Sequence, residues 1–196
     1  MFSSSESTAT PPPGRFAYEH DGKNYQLYGF NPSSLLMFYQ ARSQKMSCWA
    51  AALSNAIMTA QSNAFVEEQT ILKHFKWDGK SYGPQPSQYQ EIIDVTMRDL
   101  AGMKGCKCAV VDKLGKQDPV NFMAHLRPLA EGKPVIVGVL DHSHVVNLLA
   151  FGICVETAKA VVAIYDPDPE VGFQIGDLGQ YLGGYKPTEA FVLPAS

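Results

Sequence analysis

Three residues, a cysteine, a histidine and an aspartate in that chain order, are the ones in this sequence able to do chemistry together. Cys48 opens an Ala-rich run in which Trp49, Leu53, Ala56, Ile57 and Ala60 recur at helical spacing, with Ser47 placed as an N-cap. A cysteine in the first turn of a helix faces unpaired backbone N–H groups and the positive end of the helix dipole, and both favour thiolate over thiol. That is where a nucleophile would stand. Taken alone the argument is weak, because a free cysteine is more often a small buried hydrophobe.

A thiolate used in catalysis needs a histidine to hold its proton and pass it to a leaving group, and the histidine needs an acceptor to fix its tautomer. His144 opens a β-branched run in Asp141-His142-Ser143-His144-Val145-Val146-Asn147, so its imidazole would be carried on a strand. Asp166 closes the next apolar run in Ile164-Tyr165-Asp166-Pro167, where Pro167 turns the chain out of a sheet. Two neighbouring strands would set these side chains next to one another.

The elements needed to bring the three together are legible along the chain. Residues 1–14 are Ser/Thr-rich and then carry Pro11-Pro12-Pro13, and are expected to form a flexible tail or linker stub. Residues 15–28 alternate aromatic and polar side chains about His20-Asp21-Gly22-Lys23, a hairpin pattern, and Asn31-Pro32-Ser33 breaks it. Helices are predicted over 47–60, 66–75, 87–101 and 119–130, the last started by Asp118. Residues 77–85 form a loop, and strands are predicted over 106–111, 134–140, 144–155, 160–165, 173–175 and 190–193. Gly183-Gly184 reads as a flexible turn. A mostly helical first half followed by a strand-rich second half predicts an α+β fold with a cleft between the two parts, in one domain over residues 15–196.

Ser47-Cys48-Trp49-Ala50-Ala51, an apolar strand opened by His144, and Tyr165-Asp166-Pro167 together resemble the papain-like cysteine peptidases, in particular the compact bacterial forms used as secreted effectors, toxins and leader peptidases. The resemblance runs from about residue 40 to the end, and its specific part is Cys-Trp-Ala-Ala. It implies a papain-like fold, with a helical N-terminal part packed on an antiparallel sheet. It also implies hydrolysis of peptide bonds by a Cys48 nucleophile, a His144 base and acid, and an Asp166 orienter. The family usually carries a Gln six residues before the nucleophile, whose amide donates to the oxyanion beside the cysteine N–H. Here that position is Arg42. Gln44, four before, is favoured for the role by proximity, and Gln40, eight before, is the other choice.

Other readings compete for the same residues. Asp141, His142, His144, Asp166 and Asp168 contain enough N and O donors for a zinc or manganese site, but that reading leaves Cys48 without a role, so no metal or other cofactor is expected. His142 is otherwise an exposed turn histidine. Trp49 would either shield the His144–Asp166 contact from water or simply fill the core. Cys106 and Cys108, two apart, are expected on one face of a strand, and Cys154 in the core.

Composition excludes several functions. With 196 residues the chain can bury about 70% of its unfolded surface, and four cysteines are too few for a disulfide-built scaffold. Sixteen Lys+Arg against 19 Asp+Glu give a net charge of −3, without the basic footprint of a nucleic-acid binder. No apolar stretch reaches membrane-spanning length and the start lacks a Sec signal pattern, so the chain is expected in the producer's cytoplasm or delivered to a target cell by a specialised secretion system. The expected partners are a protein or peptide substrate and, for a delivered toxin, a cognate inhibitor or immunity protein. Within the same fold a deamidase, amidase or transglutaminase would use the same thiol, and an inactive binding module would keep only the shape.

Overall fold

The computed structural model describes residues 12–61, 64–78, 83–111, 119–140 and 143–195. Residues 1–11 of the tail expected over 1–14, the Asp118 cap, Asp141 and His142 lie outside them, and Gly14, the end of that expected tail, begins a strand. Two strands come first, β1 (Gly14–His20) and β2 (Lys23–Gly29), then the short α1 (Pro32–Leu35) and three helices, α2 (Cys48–Ala60), α3 (Glu68–His74) and α4 (Pro86–Asp99). After β3 (Ala109–Val111) and α5 (Pro119–Ala130) come β4 (Val135–Val139), β5 (His144–Cys154), β6 (Ala160–Asp166), β7 (Gly172–Asp177), α6 (Leu178–Tyr185) and β8 (Ala190–Val192).

All strand pairs are antiparallel, and β5 is the centre of the sheet. Its first half pairs with β4, its second half with β2, and β6 pairs on the other side from Asn147 to Ile153, with the register shifting between Leu148 and Ala150. The opening hairpin therefore belongs to the sheet rather than to a helical half. Its turn places Asp21 and Gly22 at φ +50 and +70, the left-handed geometry that tight hairpins require. Where β2 crosses β5 the backbones approach so closely that a Cβ on Gly152 would collide with the Gln26 carbonyl oxygen. Rings of Tyr18 and His20 on β1 pack on Phe173 of β7 at 5.7 and 5.2 Å, so this side of the sheet curls until its two outer strands touch.

Both faces of the inner strands are covered, which is why β4 reads as an unbroken apolar run. Val135, Val137 and Val139 face one core with α5 and α6, while Ile136, Val145 and Phe191 face a second core with α2, α3 and α4. Helix α2 is buried along its whole length and mostly apolar, as befits a central helix. Its few polar side chains are used to hold neighbours. Asn55 exchanges hydrogen bonds with the Gln40 main chain at 2.7 and 3.0 Å, and Ser54 donates to the Val66 carbonyl at 2.6 Å.

Three local expectations are corrected. Gly183-Gly184 is not a turn but the last part of α6, a helix started by Asp177, whose carboxylate accepts from the N–H groups of Gly179 and Gln180. Cys106 and Cys108 precede β3 rather than lying on it, because the Cys108 N–H is taken by Asp94 of α4 at 2.6 Å and its carbonyl by Gln90 at 3.1 Å. Ser47 is the residue before α2 but makes no side-chain cap. Its hydroxyl points back to the Gln44 carbonyl at 2.9 Å. No helix among the described residues is long and apolar enough to cross a membrane.

Candidate active site

Cys48 stands at the first position of α2, only 7% exposed, on an element held against the sheet from within. Asn147, three residues along β5 from His144, donates through Nδ2 to the Ala52 carbonyl at 2.8 Å. This buried bond ties the strand that carries the histidine to the helix that carries the cysteine. His144 lies opposite Val139 of β4, and Asp166 ends β6 opposite Gly172 of β7. The β5–β6 register pairs Asn147 with Tyr165, so the two side chains meet across a diagonal, with His144 Nε2 at 2.7 Å from Asp166 Oδ1. Nε2 being committed, Nδ1 is the nitrogen left for Cys48, whose side chain is the second hydrogen-bond partner of the imidazole.

The electrostatics follow from these contacts. Burial pulls the His144 imidazole down, but the hydrogen bonds to Asp166 and Cys48, with the charges on both, outweigh it and push it up to about 9. It is thus protonated near neutral pH. Burial works against ionisation of Asp166, yet the bond from His144, the N–H of Asp168 at 2.9 Å and the imidazolium charge hold its carboxyl below the usual carboxylate range. The Tyr185 hydroxyl adds a third donor, to Asp166 Oδ2 at 3.2 Å. Burial first, and then the Asp166 charge, raise that phenol, so it remains a donor across the whole useful pH range.

With Ser47 turned backward, the N–H groups at the start of α2 carry no side-chain cap. Those of Ala50 and Ala51 donate instead to the Ser47 carbonyl at 3.0 and 3.1 Å. Gln44 is exposed at the entrance to the helix and fixed by its main chain, its N–H donating to Ser47 Oγ at 3.1 Å and its carbonyl accepting from Ser47. Gln40 sits opposite Asn55, two helical turns from Cys48, and its Oε1 accepts from the Glu68 N–H at 3.1 Å, leaving Nε2 buried and unpartnered. Arg42 forms an ion pair with Asp168 and donates to the Lys45 carbonyl at 2.8 Å. Trp49 packs on Phe75, at 6.2 Å between ring centres, in the helix-side core.

Of the five residues weighed for a metal site, Asp141 and His142 lie outside the described residues, and His144 and Asp166 are bonded to one another. Among the described residues no group of three or more His, Cys, Asp or Glu side chains is disposed to hold an ion, and Asp168 is engaged by Arg42. The remaining thiols are free and serve the packing: Cys108 and Cys154 are buried and Cys106 half-buried. Two contributors escaped the sequence reading. Asn147 was signalled by an amide inside a β-branched run, where only a buried partner makes it tolerable. Tyr185 carried no signal, since its role depends on the unforeseen α6.

No protein-family model matches the sequence, and no curated protein matches it. Solved structures do. The peptidase domain of Streptococcus ComA, a bifunctional ABC transporter involved in a quorum-sensing pathway, superposes with a TM-score of 0.53 at 15% identity, over 79% of this chain and 96% of that domain. UfSP from C. elegans superposes with a TM-score of 0.54 at 12% identity over 97% of this chain, which spans 36% of the UfSP chain. At these identities the likeness is one of fold: mixed helix and antiparallel sheet, with solved neighbours of the papain-like cysteine peptidase fold.

Proposed function

We propose that the chain is a cysteine endopeptidase working through Cys48, His144 and Asp166. The observation that carries this reading is the 2.7 Å bond between His144 Nε2 and Asp166, which leaves Nδ1 to Cys48 at the uncapped start of α2. Cys48 Sγ attacks the scissile carbonyl carbon, forming an S–C bond while the carbonyl π pair moves to oxygen. That oxyanion is held by the Cys48 N–H and the Gln44 amide. As the C–N bond breaks, the imidazolium gives its proton to the departing amine. Water then attacks the thioester, losing its proton to His144, and the free thiol and the carboxylic acid are released. Asp166 keeps the imidazole in the productive tautomer throughout.

In this reading the helices and the sheet form the two walls of a cleft, and residues 15–196 are one peptidase domain. The substrate is a protein or peptide. The chain acts as a secreted bacterial effector or toxin, reaches its target cell by a specialised secretion system, and is restrained at home by a cognate inhibitor. That restraint is refuted if the intact protein, made alone in its producer, is harmless while active on substrate.

The test compares new N-termini in a target lysate treated with the protein or with Cys48→Ala. New termini that appear only with the intact chain are expected. Equal cleavage by Cys48→Ala overturns the mechanism, and a one-dalton gain at Gln without new termini replaces proteolysis by deamidation. Absence of both, with Cys48 resistant to iodoacetamide, makes the chain a binding module.

A further inference from the structure

Arg42 joins the two loops on which the site depends. Its guanidinium pairs with the Asp168 carboxylate, Nη1 donates to the Lys45 carbonyl at 2.8 Å, and its own N–H donates to the Pro167 carbonyl at 2.7 Å. Lys45 lies three residues before Cys48. Pro167 and Asp168 directly follow Asp166, and the Asp168 N–H donates at 2.9 Å to Asp166 Oδ1, the oxygen that also accepts from His144. Further on, the Asp168 side chain accepts from the Glu170 N–H at 3.1 Å, and its carbonyl from Val171 and Gly172, so the loop closes around this one residue. From the other side Glu68 accepts the Ser43 N–H through both carboxylate oxygens, pressing the Arg42 segment towards α3.

We infer that Arg42 and Asp168 are a positioning pair, which fixes the Asp166 carboxylate against His144 and holds the loop before Cys48 in the same frame. This rests on the catalytic reading above and deepens it. The guanidinium is committed to Asp168 and Lys45 and so serves geometry rather than the oxyanion. A planar fork suits the task because it reaches a carboxylate and a carbonyl at once, whereas an ammonium is a point charge. The pair is partly exposed, with side chains 21% and 25% accessible, so its effect lies in placement more than in stability.

The groups facing His144 are Cys48 and Asp166, and those facing Asp166 are His144, the Asp168 N–H, Tyr185 and Tyr165. The experiment follows the His144 ring resonance by NMR against pH in the intact protein, Arg42→Met, Arg42→Lys and Asp168→Asn, with Arg127→Met as a surface control. Melting temperature and peptide hydrolysis are measured alongside. Loosening Asp166 removes an influence that raises the imidazole, so the midpoint should fall from about 9 towards the ordinary histidine value in Arg42→Met. It should fall less in Arg42→Lys and Asp168→Asn and stay in Arg127→Met. Hydrolysis by Arg42→Met should drop in kcat, approaching about 10²-fold, with KM little altered.

A midpoint that stays near 9 in both Arg42→Met and Asp168→Asn, whether or not melting falls, overturns the inference. So does full additivity of the two changes in the double variant, which removes the coupling a pair must show. If Arg42→Met does not fold, Asp168→Asn, which keeps the backbone N–H, decides. If the intact protein cleaves no peptide while the midpoints still move, the peptidase reading fails and the pair stands.

Discussion

Cys48 and Cys108 are both free, both buried, 7% and 3% exposed, and both part of the same helix-side core. They differ in the polar groups set against them. Cys108 has burial first and the Asp94 carboxylate second acting on it, and its thiol is pushed up to about 12. Cys48 shares the burial but meets a histidine that is itself held positive by an aspartate on the next strand. Burial alone makes a thiol inert. What makes one chemical is the sign of the neighbour, and here that sign is decided one strand beyond the histidine, at Asp166.

The largest expected effect separates the two thiols outright. Cys48→Ala should lower peptide hydrolysis by at least about 10³-fold with the melting temperature nearly kept, and Cys108→Ala should leave the rate alone, as steady-state kinetics will show. Iodoacetamide at neutral pH should label Cys48 and spare Cys108 until the chain is unfolded, which peptide mass mapping reads directly. Next in size, Asp166→Asn should cost on the order of 10²-fold in kcat by removing the charge that orients the imidazole.

The pH dependence has a definite sign. His144 is raised on folding, so its stabilising contribution is complete below its ordinary value near 6.5 and disappears as pH climbs through about 9. Melting temperature should fall across that window in the parent and less so in Asp166→Asn, and kcat should decline above about 9 as the acid for the leaving amine is lost. Tyr185→Phe removes one of three donors to Asp166 and should cost about 1 kcal/mol, roughly fivefold in rate. The smallest change sharpens the comparison from the other side. Asp94→Asn keeps an acceptor for the Cys108 N–H but deletes the charge, so the Cys108 thiol should drop below about 12 while burial still protects it from neutral alkylation.

Much of this was written in local pattern. Helical spacing located α2 to within a residue, because a central helix that is mostly apolar has few alternatives, and β-branched runs located β4, β5 and β6. Cys48, His144 and Asp166 were named from residue type and order, and the β5–β6 register brings the latter two into contact. What remained hidden depends on distant partners. Ser47 has the composition of a cap, but Gln44 claims its hydroxyl. The N-terminal hairpin was visible, yet nothing local says that β2 docks on β5. Gly183-Gly184 has turn composition, and only the Asp177 cap and the burial of Tyr181 and Leu182 make it helix. Arg42 stood out as a departure from a motif, while its meaning lies in Asp168, on the far side of the sequence.

The docking of the hairpin onto β5 also bears on how the chain reaches this state. Asn24 is bonded to Glu156, 132 residues further on, and the whole β2–β5 ladder closes a loop of that order. Pairing across such a separation is entropically late and slow, whereas the β4–β5 and β5–β6 ladders join neighbouring stretches of chain. His144 and Asp166 sit on those locally closed ladders, whereas Cys48 meets them only when α2 docks on β5 through the Asn147–Ala52 bond, 95 residues apart in sequence. The acid–base pair is thus built from nearby stretches of chain, and chemical competence waits on the long-range docking of the helix that carries the sulfur.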